Sequence, residues 1–167
     1  MRTLAAVPTL ISLTCIALSA CAPSPAPTED VGSPDTMPRD HDTFIALAGQ
    51  HEKVRRTVTQ RDDGIETLTE SDDPAVTALI TEHAMAMSSR LQSGDGFREW
   101  DPLFKEIWEN SGKITTVVTP TDKGVRVVQT STDTYGVKLI KAHAQSVNNF
   151  VAHGMAVMGD RHEAPAK

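Results

Sequence analysis

Cysteine is almost missing from this chain. The two present, Cys15 and Cys21, both lie within the first 21 residues, and none follows. Everything downstream therefore lacks a disulfide, a zinc–thiolate site and a cysteine nucleophile, so the fold must be held by packing. Cationic charge is also in deficit: 16 Lys and Arg stand against 22 Asp and Glu, a net charge of −6. That balance argues against nucleic acid, which is bound through clustered basic side chains, and against docking on anionic lipid by charge. No apolar stretch after residue 18 approaches membrane length. Enzyme signatures are absent too: there is no Gly-x-Ser-x-Gly, no phosphate loop, no dinucleotide fingerprint and no Cys-x-x-Cys-His. His51-Glu52 begins a zincin motif, but Arg55 stands where its second histidine belongs. Asp72-Asp73 sits at a helix start and reads as capping rather than acid–base chemistry. The expectation is a protein that is not an enzyme.

What is present begins at the N-terminus. Met1-Arg2 supplies a positive start, and residues 4–18 carry no charged side chain. That run is shorter than the roughly 20 residues of a membrane span and has the length of an export signal's apolar segment. It closes on Leu18-Ser19-Ala20-Cys21, which resembles the lipobox of bacterial lipoproteins. The resemblance covers only these first residues. It implies cleavage before Cys21, lipidation of that cysteine and anchoring to a lipid bilayer. Loss of residues 1–20 removes one charge, Arg2, and moves the net from −6 to −7. Ala22 stands where an aspartate would favour inner-membrane retention, so the resemblance implies the periplasmic face of the outer membrane. Residues 21–39 hold five prolines among small polar neighbours and read as a flexible tether. A single domain is expected over 40–160, with 161–167 a disordered tail.

The domain contains an internal repeat. Shifting by 60 residues aligns 54–84 with 114–144 without a gap, and ten of the 31 positions are identical, among them Gly64/Gly124, Ser71/Ser131, Asp73/Asp133 and His83/His143. Each copy parses as two β-rich runs around an Asp-x-Gly turn, then a capped helix. The helices are expected over 74–91 and 134–152, with Gly94 and Gly154 as stops. A helix over 40–50 precedes the first copy, with Phe44, Ile45 and Ala48 inward. A linker helix after Trp100-Asp101-Pro102 turns Leu103, Phe104, Ile107 and Trp108 to one side. The expected fold is α+β: a duplicated ββα unit forming an antiparallel sheet, helices packed on one face, plus the N-terminal and linker helices. Strand order is not legible.

Both histidines fall on the apolar stripe of their helices. His83 lies between Ile80 and Met87, and His143 between Ile140 and Val147. A buried imidazole needs a partner. One reading makes each a satisfied core residue. The other makes the pair a duplicated ligand set, with Met87 on the same helical face and His51 close by. His153, Met155 and Met158 form a second His/Met cluster and are candidate auxiliaries. Imidazole and thioether together suit copper, and two opposed imidazoles suit haem. Arg55, Arg56 and Arg90 have two destinations, a carboxylate or an anionic ligand. The leading expectation is an envelope lipoprotein binding copper or haem through paired histidines. The competing one is a non-catalytic envelope module, its histidines structural, whose partner is a small ligand, another envelope protein or a second copy in a homodimer.

Overall fold

The computed structural model describes residues 37–167. Helix α1 (Met37–Gly49) leads into strands β1 (Arg55–Arg61) and β2 (Gly64–Glu70) and helix α2 (Pro74–Ser93). Helix α3 (Pro102–Glu109), strands β3 (Thr115–Thr121) and β4 (Gly124–Thr130) and helix α4 (Thr134–His153) repeat that order. The signal, lipobox and most of the tether lie outside the described residues. Met37, Pro38 and Arg39, expected in the tether, form the first turn of α1. Among the described residues no helix is long and apolar enough to cross a membrane.

The local chemistry is the same in both copies. Asp73 Oδ1 accepts from Ala75 N at 2.9 Å to open α2, and Asp133 Oδ1 accepts from Gly136 N at 2.9 Å to open α4. Gly94, at φ 78°, closes α2 in the left-handed conformation glycine adopts without steric cost. The strands form one antiparallel sheet in the order β1-β2-β4-β3. Pro120, which has no N–H to donate, lies on edge strand β3. Where β2 meets β4 the backbones approach so closely that a Cβ on Gly64 would stand 2.0 Å from the Gln129 carbonyl oxygen. One on Gly124 would stand 2.0 Å from that of Thr69.

Each helix crosses to the other copy's strands. Val76 and Ile80 of α2 pack on Val125, Val118 and Val127, while Ile140 and Ala144 of α4 pack on Ile65 and Val58. The hairpins are also tied crosswise: Ser71 N donates to the Lys123 carbonyl, and Ser131 N to that of Asp63, each at 2.9 Å. A third cluster joins Leu91, Phe97, Leu103, Trp108 and Leu139, with Trp108 Nε1 donating to the Phe97 carbonyl at 2.6 Å.

The duplication runs further than residues 54–84 and 114–144. Helices α1 and α3, and the short 3-10 turns His51–Lys53 and Ser111–Lys113, also correspond at a spacing of 60. The C-terminal segment differs from expectation in the other direction: residues 161–167 do not form a free tail. Leu103 N donates to the His162 carbonyl at 3.0 Å, and Lys138 Nζ to that of Ala166 at 3.0 Å. Chain order there comes from bonds to α3 and α4 rather than from any periodicity of its own.

Candidate functional site

Between the sheet and the helices lies a cavity of about 220 Å3 with a mostly apolar wall. Its floor is the inward phase of the strands: Arg56 on β1, Thr67 and Thr69 on β2, Val125, Val127 and Gln129 on β4, and Thr116 and Val118 on β3. Its roof comes from α2 and α4, and both repeated histidines look into it.

His83 and His143 are enclosed by protein, and burial pushes each imidazole from 6.5 down to about 4. Both rings are therefore neutral at ordinary pH. Each keeps some accessible surface, which is what facing a cavity produces. Phe44 stacks on His83 with centroids 5.5 Å apart, and Phe104 meets His143 edge-on at 5.6 Å. The same pairing thus occurs in both copies, with different ring geometry. His83 Nδ1 is buried without a hydrogen-bond partner. The electrostatic surroundings differ as well. Asp40 and Glu82 act on His83 and partly offset its burial, whereas Arg56, His83 and His162 add to the downward push on His143.

The remaining metal candidates divide. Met87 and His51 line the cavity. His51 Nδ1 donates to the Val151 carbonyl at 3.0 Å, which leaves Nε2 as its free acceptor. The C-terminal cluster is not brought to the site. Helix α4 ends at His153, a 3-10 turn follows over Gly154–Val157, and His153 and Met155 face solvent. Met158 is half-buried but lines no part of the cavity; its carbonyl accepts from Arg98 Nη1 at 2.9 Å. Among the described residues no group of three or more His, Cys, Asp or Glu side chains converges as a metal site.

Three further features complete the site, two of them missed in the sequence and one, Arg56, left there between two destinations. Arg56 reaches Thr69 Oγ1 at 2.8 Å and Asn148 Oδ1 at 3.0 Å, and burial pushes its guanidinium down to about 10, still protonated. Its signal was its place in phase with Val54 and Val58 on the inward side of the strand. Arg98, at φ 59°, lies 4.4 Å over the Trp100 ring and 5.2 to 5.8 Å from Phe150, Phe104 and Phe44, closing one side of the cavity. The third is a chain of bonds from Asp101 Oδ2 to His162 Nδ1 at 2.7 Å and from His162 Nε2 to Ser146 Oγ at 3.3 Å. That order resembles a serine hydrolase relay. Ser146 is only 3% exposed and lines no part of the cavity, so a substrate carbonyl has no route to it there.

Compared with known proteins, the chain matches no family model, no curated protein and no solved structure.

Proposed function

We propose that this chain is an exported, lipid-tethered binding module, not an enzyme, that takes a small and mainly apolar molecule between its sheet and α2 and α4. The observation that carries the reading is the cavity itself: an apolar wall with two neutral imidazoles set into it. Ligand sites combine these features, an apolar surround with a few placed polar groups. An apolar cavity of about 150 Å3 admits benzene, so the present one suits a bicyclic ring or a chain of about eight carbons. His83 Nδ1, buried without a partner, gives such a molecule a polar group to meet.

A second reading keeps the paired histidines as metal ligands. It is favoured by Met87 facing the same cavity as two uncharged imidazoles, a donor set that suits copper. Against it stand the cationic Arg56 beside His143 and the absence, among the described residues, of a third converging His or carboxylate. Haem fits less well, since even drug-sized ligands occupy roughly 300–1,000 Å3.

The test uses the purified full chain. Titration with 1-octanol, followed by calorimetry and by tryptophan fluorescence, to which cavity-lining Trp108 contributes beside exposed Trp100, is expected to saturate and to be lost in Val147→Phe, which fills the cavity. Octanol that never saturates sinks the reading. Parallel titrations with Cu(I), Cu(II), Zn(II) and haem decide the second one. Binding tighter than about micromolar that vanishes in the His83→Ala/His143→Ala double variant supports it, and its absence removes it. Tethering rests on Cys21, and predicts palmitate incorporation that Cys21→Ala abolishes.

A further inference from the structure

Arginines are distributed unevenly over carboxylates. Arg39, Arg55, Arg61, Arg90, Arg98 and Arg126 each have one within 3.7 Å. Arg56 and the exposed Arg161 do not; the hydrogen-bond partners of Arg56 are the neutral oxygens of Thr69 and Asn148, and no carboxylate among the described residues pairs with it. Two of the five N–H donors of a guanidinium are thereby used, which leaves three. Arg56 is half-buried, and a cation partly withdrawn from water without a counter-ion is stabilised by any group that supplies the missing charge. Arg56 faces the cavity, so a ligand in it is placed to do so.

The duplication makes the position informative. Sixty residues on, the inward site is Thr116, so the strand floor is cationic on one side only; the wall's other arginine, Arg98, has Asp101 3.7 Å away. On the His83 side the nearby charges are already paired, Asp40 with Arg90 and Glu82 with Arg39, so no unpaired cation is offered there. Arg56 Nε donates to Asn148 Oδ1 on α4, the helix that carries His143, so the cation lies on that imidazole's side, where it is the foremost charged group acting on it. The rest of the wall is mostly apolar: Phe44 stacks on His83, and Met87 and Val127 also line it.

We infer that the cavity selects an apolar molecule bearing one carboxylate, its anionic end held by Arg56 beside His143 and its apolar body lying toward Phe44 and Met87. The inference rests on the cavity being a ligand site and adds the charge and direction of the ligand. Guanidinium meets carboxylate through two parallel N–H···O bonds, which a hydroxyl cannot reproduce.

Three probes of equal chain length separate the two ideas: octanoate, 1-octanol and octylamine, each titrated into the purified full chain. Octanoate is expected to bind at least about tenfold tighter than octanol, with octylamine weakest. In Arg56→Met the ratio of octanoate to octanol affinity is expected to fall to about one, whatever the change in octanol binding itself, and Arg56→Lys should keep part of the preference. Octanol binding as tightly as octanoate, or a preference that survives in Arg56→Met, overturns the inference and leaves the cavity as a ligand site. If no probe saturates, the cavity reading fails first. Should Arg56→Met not fold, the wild-type series alone decides.

Discussion

Thr67 stands directly opposite Val127 across strands β2 and β4, and the two residues are the same position of the two repeats. The pairing on either side of them is reciprocal: Gly64 faces Thr130 and Glu70 faces Gly124. A twofold pseudo-axis therefore passes between Thr67 and Val127. It relates His83 to His143 and Phe44 to Phe104, and it explains why both imidazoles enter one cavity. Because α2 crosses to β3 and β4 while α4 crosses to β1 and β2, neither copy has a core without the other.

Close approach across that axis makes the two glycines intolerant of a side chain. Gly64→Ala and Gly124→Ala each place a Cβ 2.0 Å from a backbone oxygen on the partner strand. Each is expected to cost about 2–4 kcal/mol, read as a lower urea midpoint. Gly49→Ala, with nothing within 4 Å, is the control and should leave the midpoint nearly unchanged. Equal midpoints for all three variants would contradict the register.

Helix α1 is fastened to α2 by a buried ion pair. Arg90 Nη2 and Nε donate to Asp40 Oδ2 at 2.6 and 2.7 Å, and both side chains are almost inaccessible. Removing one partner leaves a buried charge, so Arg90→Met is expected to cost about 3–5 kcal/mol. Replacing both residues with leucine should recover most of that loss. A double variant no more stable than Arg90→Met would show that the pair's geometry, rather than the stranded charge, sets the cost.

Much of this was legible from residues alone. The strands, turns, caps and the apolar stripes holding His83 and His143 follow from period and turn chemistry, which act within one element. The crossing of each helix to the other copy was not, because it depends on strand order. The N-terminal extension of the repeat was nearly hidden: between 40–53 and 100–113 only Phe44/Phe104 and Lys53/Lys113 are identical. Arg56 was left open beside Arg55 and Arg90 until geometry assigned them, Arg55 to Asp72 and Arg90 to Asp40. His153, Met155 and Met158 are close in sequence to the end of α4, but the helix stops at His153 and the chain turns away from the cavity.

Acid should destabilise the fold through its histidines. Each ring titrates near 6.5 when exposed and near 4 when folded. The unfolded chain therefore binds more protons between those values, and stability falls as pH drops through that window. Above 6.5 both states are neutral and the contribution is constant; near 4 the loss levels off. Two and a half pH units correspond to roughly 3 kcal/mol per ring at most. Midpoints of His83→Gln/His143→Gln, measured against wild type across the window, should change less with pH. Parallel curves for the two proteins would mean the rings are not buried neutral. The lowered carboxyls of Asp73 and Asp133 act in the same direction but below the histidine window, and both proteins keep them.

The Asp101–His162–Ser146 chain ties the C-terminal segment to α3 and α4, and stability and hydrolysis measurements separate a latch from a catalytic relay. Asp101 Oδ1 accepts from Leu103 N at 3.0 Å and so caps α3, while Oδ2 accepts from His162 N at 3.2 Å and from Nδ1 at 2.7 Å. Arg98 adds bonds to the carbonyls of Met158 and Asp160. His162 also rests against Phe104 and Phe150, with centroids 6.2 and 5.9 Å away, and both of those rings wall the cavity. A hydrogen bond to a charged group contributes about 1.5–3 kcal/mol, so His162→Ala is expected to lower stability by that order. Asp101→Ala should cost more, because it also removes a helix cap worth about 1 kcal/mol. The two losses should not add, since they share one bond. Limited proteolysis should then cut at Arg161 in either variant faster than in wild type. Ser146→Ala, by contrast, should change stability little and leave hydrolysis of a 4-nitrophenyl ester at the solvent rate. Ester turnover that depends on Ser146 would reverse the assignment and make the closed serine a nucleophile.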